Sequence, residues 1–138
     1  NATLTVAAGT NTYTSNVNIQ SAYPHLAIAN ADDVANANVI HVRGTQQTFE
    51  SSVDPFSLDG DAETYLVLYG SGRGKESSAS ATIGGVAADV TYAGAYSAAP
   101  GVDQYNVRIP KSLAGKGELD VVITLAGRAS NAVRITIR

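Results

Sequence analysis

The chain has 138 residues, 15% of them charged, with a formal net charge of −3 and neither cysteine nor tryptophan. That length supports one domain, or one domain with an appendage, and the sparse, slightly acidic charge offers no basic field to nucleic acid and no polybasic segment to an anionic membrane. Disulfides, thiolate chemistry and cysteine metal sites are excluded, and the apolar runs are strand-sized with no charged leader, so no membrane insertion is expected.

Apolar residues recur with period two nearly throughout, and no helical spacing persists beyond about ten residues, which predicts an all-β chain. Residues 2–20, ATLTVAAGTNTYTSNVNIQ, read as a β-hairpin: an alternating run through Leu4 and Val6, a small-residue turn at Gly9, then a second run through Tyr13, Val17 and Ile19. Pro24, in SAYPHLAIAN, marks the passage to the domain proper, giving an extension over 1–22 and a domain over 23–138. Residues 30–63 are the least regular part, with short strands expected at 38–43 and 45–50 before Asp54-Pro55 breaks any central strand. Beyond them the alternation is clean in Leu66/Leu68, Val90/Tyr92, Tyr105/Val107/Ile109, Leu119/Val121/Ile123/Leu125 and Val133/Ile135/Ile137, so one face of each strand should be buried. Glycine-containing turns at 70–74, 84–85, 100–101, 114–117 and 127 separate these strands, and short strands at such spacing predict a sandwich.

The closing segment 119–138, LDVVITLAGRASNAVRITIR, has the same plan as residues 2–20. The C-terminal hairpin closes the domain before it, whereas the N-terminal one has no preceding sheet to close. A hairpin with one apolar face must pack on its own domain or complete another molecule. The second option predicts β-augmentation between copies: Leu4, Val6, Tyr13, Val17 and Ile19 would fill the recipient, and Val133, Ile135 and Ile137 would present the final strand at the subunit boundary. Such a head-to-tail contact need not close into a ring, so an open polymer follows.

Four blocks in order over 64–138, TYLVLYGSGRG, SATIGGVAADVTYAG, QYNVRIP and VVITLAGRASNAVRITIR, resemble the Ig-like, IPT/TIG-type domain at the C-terminal end of many large exported bacterial proteins. The resemblance implies an Ig-like β-sandwich: a strand ending in a Gly-rich corner, a hairpin around Gly84-Gly85, a strand closed by Pro110, and a final hairpin. It also implies an exported setting, and that residues 2–20 derive from the last hairpin of an upstream module. The family has no assigned catalytic residues, so none carries over. A start at Asn1, the absence of methionine and a composition dominated by Ser, Thr, Asn, Gly and Ala agree with a mature secreted protein after signal-peptide cleavage; trimming of a longer chain would leave the same start.

Chemistry-bearing motifs are few. Gly70-Ser71-Gly72-Arg73-Gly74 follows a strand as a phosphate loop would, but no helix and no Lys-Ser/Thr pair follow, so it reads as a sheet corner. Asp59, Asp61 and Glu63, with Asp54 nearby, could offer oxygen ligands to calcium, yet the full twelve-residue loop with its terminal glutamate is missing and a solvated turn is the plainer reading. His25 and His41 fall in separate strands without carboxylates at metal-motif spacing. No serine sits in a G-x-S-x-G elbow, and nothing fixes the separation of Asp32, Asp33 or Asp103 for glycoside cleavage. No enzymatic activity and no cofactor are therefore expected. Tyr65, Tyr69, Tyr92 and Tyr105 read as strand packing. Tyr96, with Pro100 in the AGAYSAAPG loop, is the expected exposed contact for sugar or a neighbouring subunit, and Asn1-Ala2-Thr3 matches a glycosylation acceptor. The function expected is a non-enzymatic extracellular structural protein at the cell surface, a filament or pilus-like subunit whose partners are copies of itself. The alternatives are a carbohydrate- or host-binding adhesion module, or a spacer domain of a larger secreted protein.

Overall fold

The computed structural model describes every residue of 1–138 except Asp59 and Asp61. Alternation becomes strands β1 (Ala2–Ala8), β2 (Asn11–Val17), β3 (His25–Leu26), β4 (Ala37–Arg43), β5 (Gln46–Ser51), β6 (Glu63–Ser71), β7 (Ala79–Ile83), β8 (Val86–Ala95), β9 (Asp103–Arg108), β10 (Gly117–Leu125), β11 (Arg128–Ala129) and β12 (Val133–Ile137). No α-helix occurs among the described residues, and one 3₁₀ turn, Lys111–Leu113, follows Pro110.

Pairing is antiparallel along the path β11-β10-β7-β8-β9-β6-β4-β5, with β12 beside β10 and β3 beside β6. The path folds into two layers because β8 belongs to both: Val86–Ala88 pair with β7, and Asp89–Ala95 pair with β9. The inward residues Leu66, Leu68 and Val107 of one layer and Ile83, Val121 and Ile135 of the other join a single core cluster, each at most 1% exposed. Burying a side chain of this size contributes about 1.5–3 kcal/mol, so this cluster is what holds the layers together. The fold is the all-β sandwich with an additional N-terminal hairpin that alternation predicts.

The Gly-rich corner has a packing role. A Cβ on Gly70, Gly72 or Gly74 would collide with the backbone carbonyl of His25, Tyr23 or Ser21 respectively, so the alternate glycines admit the 21–26 segment against β6 and its continuation. The Tyr23 amide donates to the Gly72 carbonyl at 2.7 Å, and Ala22 is 3% exposed in the core. The hairpin extension therefore gives way to the sandwich before Ala22, slightly earlier than the expected boundary after residue 22. Asn131 fixes the same segment from the other side, its Oδ1 accepting from the Leu26 amide at 2.7 Å and its Nδ2 donating to the Leu26 carbonyl at 3.1 Å.

Strands β4 and β5 lie where expected, and among the described residues between Ser51 and β6 the one β-bridge is isolated, at Phe56, in keeping with the break at Asp54-Pro55. Two expectations are corrected. Val90 and Tyr92 do not share a face: a bulge between them leaves Val90 opposite buried Val107 and turns Tyr92 outward, 42% exposed, opposite Asn106. Val133, Ile135 and Ile137 are core residues, at most 1% exposed, and cannot meet a partner. Nor is the edge of β12 open. Beyond β10, its other side is taken by Asp33–Ala35 and Phe56, through bonds from the Arg134 amide to the Asp33 carbonyl at 2.7 Å, from the Ala35 amide to the Arg134 carbonyl at 2.8 Å and from the Phe56 amide to the Thr136 carbonyl at 3.1 Å.

Candidate assembly surface

Two adjacent residues, Gly9 and Thr10, join β1 to β2, and Gly9 has a positive φ of 63°. A leading glycine of that kind suits the tight hairpin turns whose twist matches the strands. Register then sorts the side chains. Ala2/Val17, Leu4/Ser15 and Val6/Tyr13 stand opposite each other on one face; Thr3/Asn16, Thr5/Thr14 and Ala7/Thr12 stand on the other. On the polar face the Thr3 hydroxyl donates to Asn16 Oδ1 at 3.3 Å. None of the described residues covers the apolar face. Leu4 is 54% exposed, Val6 52%, Tyr13 61% and Val17 38%, and Ile19, just beyond β2, is 72% exposed.

The hairpin forms a two-stranded sheet separate from the other strands. Its exit is held at Gln20, whose Oε1 accepts from Arg128 Nε at 3.1 Å. The Arg128 guanidinium also lies 5.8 Å from the centre of the Tyr23 ring, a cation–π contact of about 0.5–1 kcal/mol at an exposed site.

The sandwich offers few free strand edges. β11 has two residues, β12 is covered on both sides, and the second half of β8 has the bulge that twists a strand out of reach of a partner. β5 ends the sheet path, and among the described residues only β4 pairs with it. All six of its residues, Gln46–Ser51, are exposed, without proline, lysine or bulge. Phe49, 66% exposed, stands on its outer side in a row with Ile40 and Tyr65; Val42 and Val67 lie beside them. Phe49 escapes a sequence reading because its strand, QQTFES, is otherwise polar.

The remaining candidates separate. Tyr96 is half-buried, its ring centroid 4.9 Å from that of Tyr69, so it is not the free contact expected; Pro100 is exposed. Burial raises the Tyr69 phenol above its ordinary value against the opposing hydrogen bond from Asn38. Asp59 and Asp61 lie outside the described residues, and Glu63 is held by cations, Arg108 at 3.8 Å and Lys111 at 3.9 Å. No group of three or more metal-ligating side chains occurs among the described residues. Asp103 accepts from the Arg73 amide at 2.9 Å and from Arg73 Nε at 3.2 Å. Asp32 and Asp33 form an exposed turn in which Asn30 Oδ1 accepts from the Asp32 amide at 3.0 Å. His25 is exposed on β3, whereas His41 on β4 meets Glu50 at 2.6 Å and Thr64 at 3.1 Å. Tyr105 is fully buried with its hydroxyl unpartnered, and burial, with a smaller contribution from Asp103, pushes that phenol up to about 12.

Comparison with family models, with curated protein sequences and with solved structures finds no match to this chain.

Proposed function

We propose that this chain is a structural subunit of an extracellular assembly, a surface filament or pilus-like fibre, in which the N-terminal hairpin of one copy completes the next. The observation that supports this most is the amphipathic hairpin β1–β2, whose apolar face stays open while the sandwich has a closed core of its own. A two-stranded ribbon is marginal alone in water, so a face of this kind is stabilised by a partner sheet. Every polar side chain of residues 1–20 is uncharged, so docking strips water from no ionised side chain. The exported setting rests on the composition and on the resemblance of residues 64–138 to IPT/TIG-type domains.

Replacing Val17 and Ile19 by aspartate tests the proposal. The natural chain is expected to run as oligomers or polymers in sedimentation velocity, and the double variant as a monomer with an unchanged melting temperature. Monomers from both chains would overturn it. One observation favours a ligand-binding module instead: Tyr23, 70% exposed, has Arg128 over its ring and Gln20 bonded to that arginine, an aromatic plane flanked by planar polar groups of the sort that holds a sugar face.

A further inference from the structure

We infer that the acceptor in this assembly is the open edge of β5, Gln46–Ser51, and that its occupant is the uncharged N-terminal hairpin of a second copy, docked with its apolar face on the Phe49 side of the sheet. This rests on the self-association proposed above and adds where the donor binds and which way it faces.

The hydrogen-bond parity of β5 follows from its end. The Ser52 amide donates to the Ala37 carbonyl at 3.1 Å, so in the antiparallel register Ser52, Glu50, Thr48 and Gln46 turn their amides and carbonyls toward β4. Ser51, Phe49 and Gln47 direct theirs to the open side. These three residues form a ready row of donors and acceptors for a further strand.

Both faces of β5 match the donor. Its outer side shows Gln47, Phe49 and Ser51, with Ile40, Val42 and Tyr65 behind, and no ionisable carboxylate or cation in β5 stands among them. Its other side shows Gln46, Thr48 and Glu50, and the carboxylate of Glu50 is already bonded to His41. Across the two-residue turn Ala8 and Asn11 form a hydrogen-bonded pair, so Leu4 and Val6 bond to β2 while Thr3, Thr5 and Ala7 turn their amides and carbonyls outward. Laid parallel to β5, such a strand puts Leu4 beside Phe49 and Val6 beside Ser51 on the outer side, with Thr3 beside Thr48 and Thr5 beside Glu50 on the other, so apolar meets apolar at Phe49 and hydroxyl meets polar. The antiparallel alignment would reverse both matches. The lengths also agree, seven residues in β1 or β2 against six in β5. Each chain then has one donor and one acceptor, the arrangement that propagates as an open fibre.

Gln47→Pro in the full chain tests the acceptor, because proline removes an amide that faces the open side and leaves the bonds to β4 intact. Gln47→Ala is the control. Expected are assembly of the natural chain and of Gln47→Ala at similar concentrations, and for Gln47→Pro a rise of at least tenfold in the concentration needed, with an unchanged melting temperature. If Gln47→Pro assembles like the natural chain while the Val17→Asp, Ile19→Asp variant does not, β5 is not the acceptor although hairpin donation stands. If the natural chain does not assemble, both fall.

Should Gln47→Pro unfold the chain, cysteine pairs decide, since the protein has none of its own. Mild oxidation of Ser51→Cys mixed with Val6→Cys should give a mixed disulfide dimer, resolved by mass, in at least tenfold greater yield than Ser51→Cys mixed with Thr5→Cys. Equal yields, or none in either mixture, overturn the inference.

Discussion

Tyr105 stands in the middle of β9 with its ring in the core and its hydroxyl unpaired. Leaving a buried hydroxyl unsatisfied costs about 1–3 kcal/mol, and the ring's burial outweighs it. The shift to about 12 from an ordinary 10.0 means that between those values the unfolded chain releases a proton the folded chain retains. This contribution to stability is fully present below pH 10 and is lost as pH rises toward 12, by about 2–3 kcal/mol at most. Tyr105→Phe removes both effects. Urea unfolding at pH 8 should find it as stable as the natural protein or up to about 2 kcal/mol more so, and at pH 11 its advantage should widen. A loss above about 1 kcal/mol at pH 8 would mean the hydroxyl is bonded in solution. Asp103 presents the opposite case, a carboxylate that satisfies both the amide and the guanidinium of Arg73 at the end of the Gly-rich corner. Asp103→Ala should cost about 2 kcal/mol in the same experiment, and Asp103→Asn less, since its amide oxygen still accepts from the Arg73 amide.

Among the elements, the Gly-rich corner and the two hairpins show why some of this fold is legible and some is not. Alternation and glycine turns are local signals, and they place β4, β5, the strands from β6 onward and the N-terminal hairpin. The corner reading of residues 70–74 holds for a reason sequence does not display, the approach of the 21–26 backbone to alternate glycines. Gly72 also has a φ of 81°, so Gly72→Ala meets both strain and collision and should cost at least about 2 kcal/mol. Gly9→Ala, in the open hairpin turn, should leave the melting temperature of the sandwich unchanged. Calorimetry of the two variants separates the roles. Illegible features are non-local. The bulge at Val90/Tyr92 looks like unbroken alternation, and the cover over β12 comes from Asp33–Ala35 and Phe56, single bridges in segments without periodicity. That is why Val133, Ile135 and Ile137 read as an available strand and prove to be core. Val67, on the outer side of β6, is 4% exposed because a central strand is flanked by neighbours on both edges.

For the molecule as a whole, two features stand apart from a self-sufficient sandwich: an uncharged ribbon with a bare apolar face, and a sheet path that ends, among the described residues, in the unguarded strand β5. In a monomer both remain exposed to water, and hydrophobic burial of Leu4, Val6, Tyr13 and Val17 favours any arrangement that covers them. An apolar contact between uncharged elements should respond weakly to salt, so raising sodium chloride from 0.05 to about 0.5 M should not dissolve the assembly. Dissolution by salt over that range, followed by light scattering, would point to ion pairs between copies rather than to the hairpin.

The most direct test of self-assembly through the hairpin is negative-stain electron microscopy of the purified chain beside its Val17→Asp, Ile19→Asp variant at equal concentration. Fibres from the natural chain and dispersed single particles from the variant are the predicted result. Dispersed particles from both, or fibres of the same length and number from both, would contradict it.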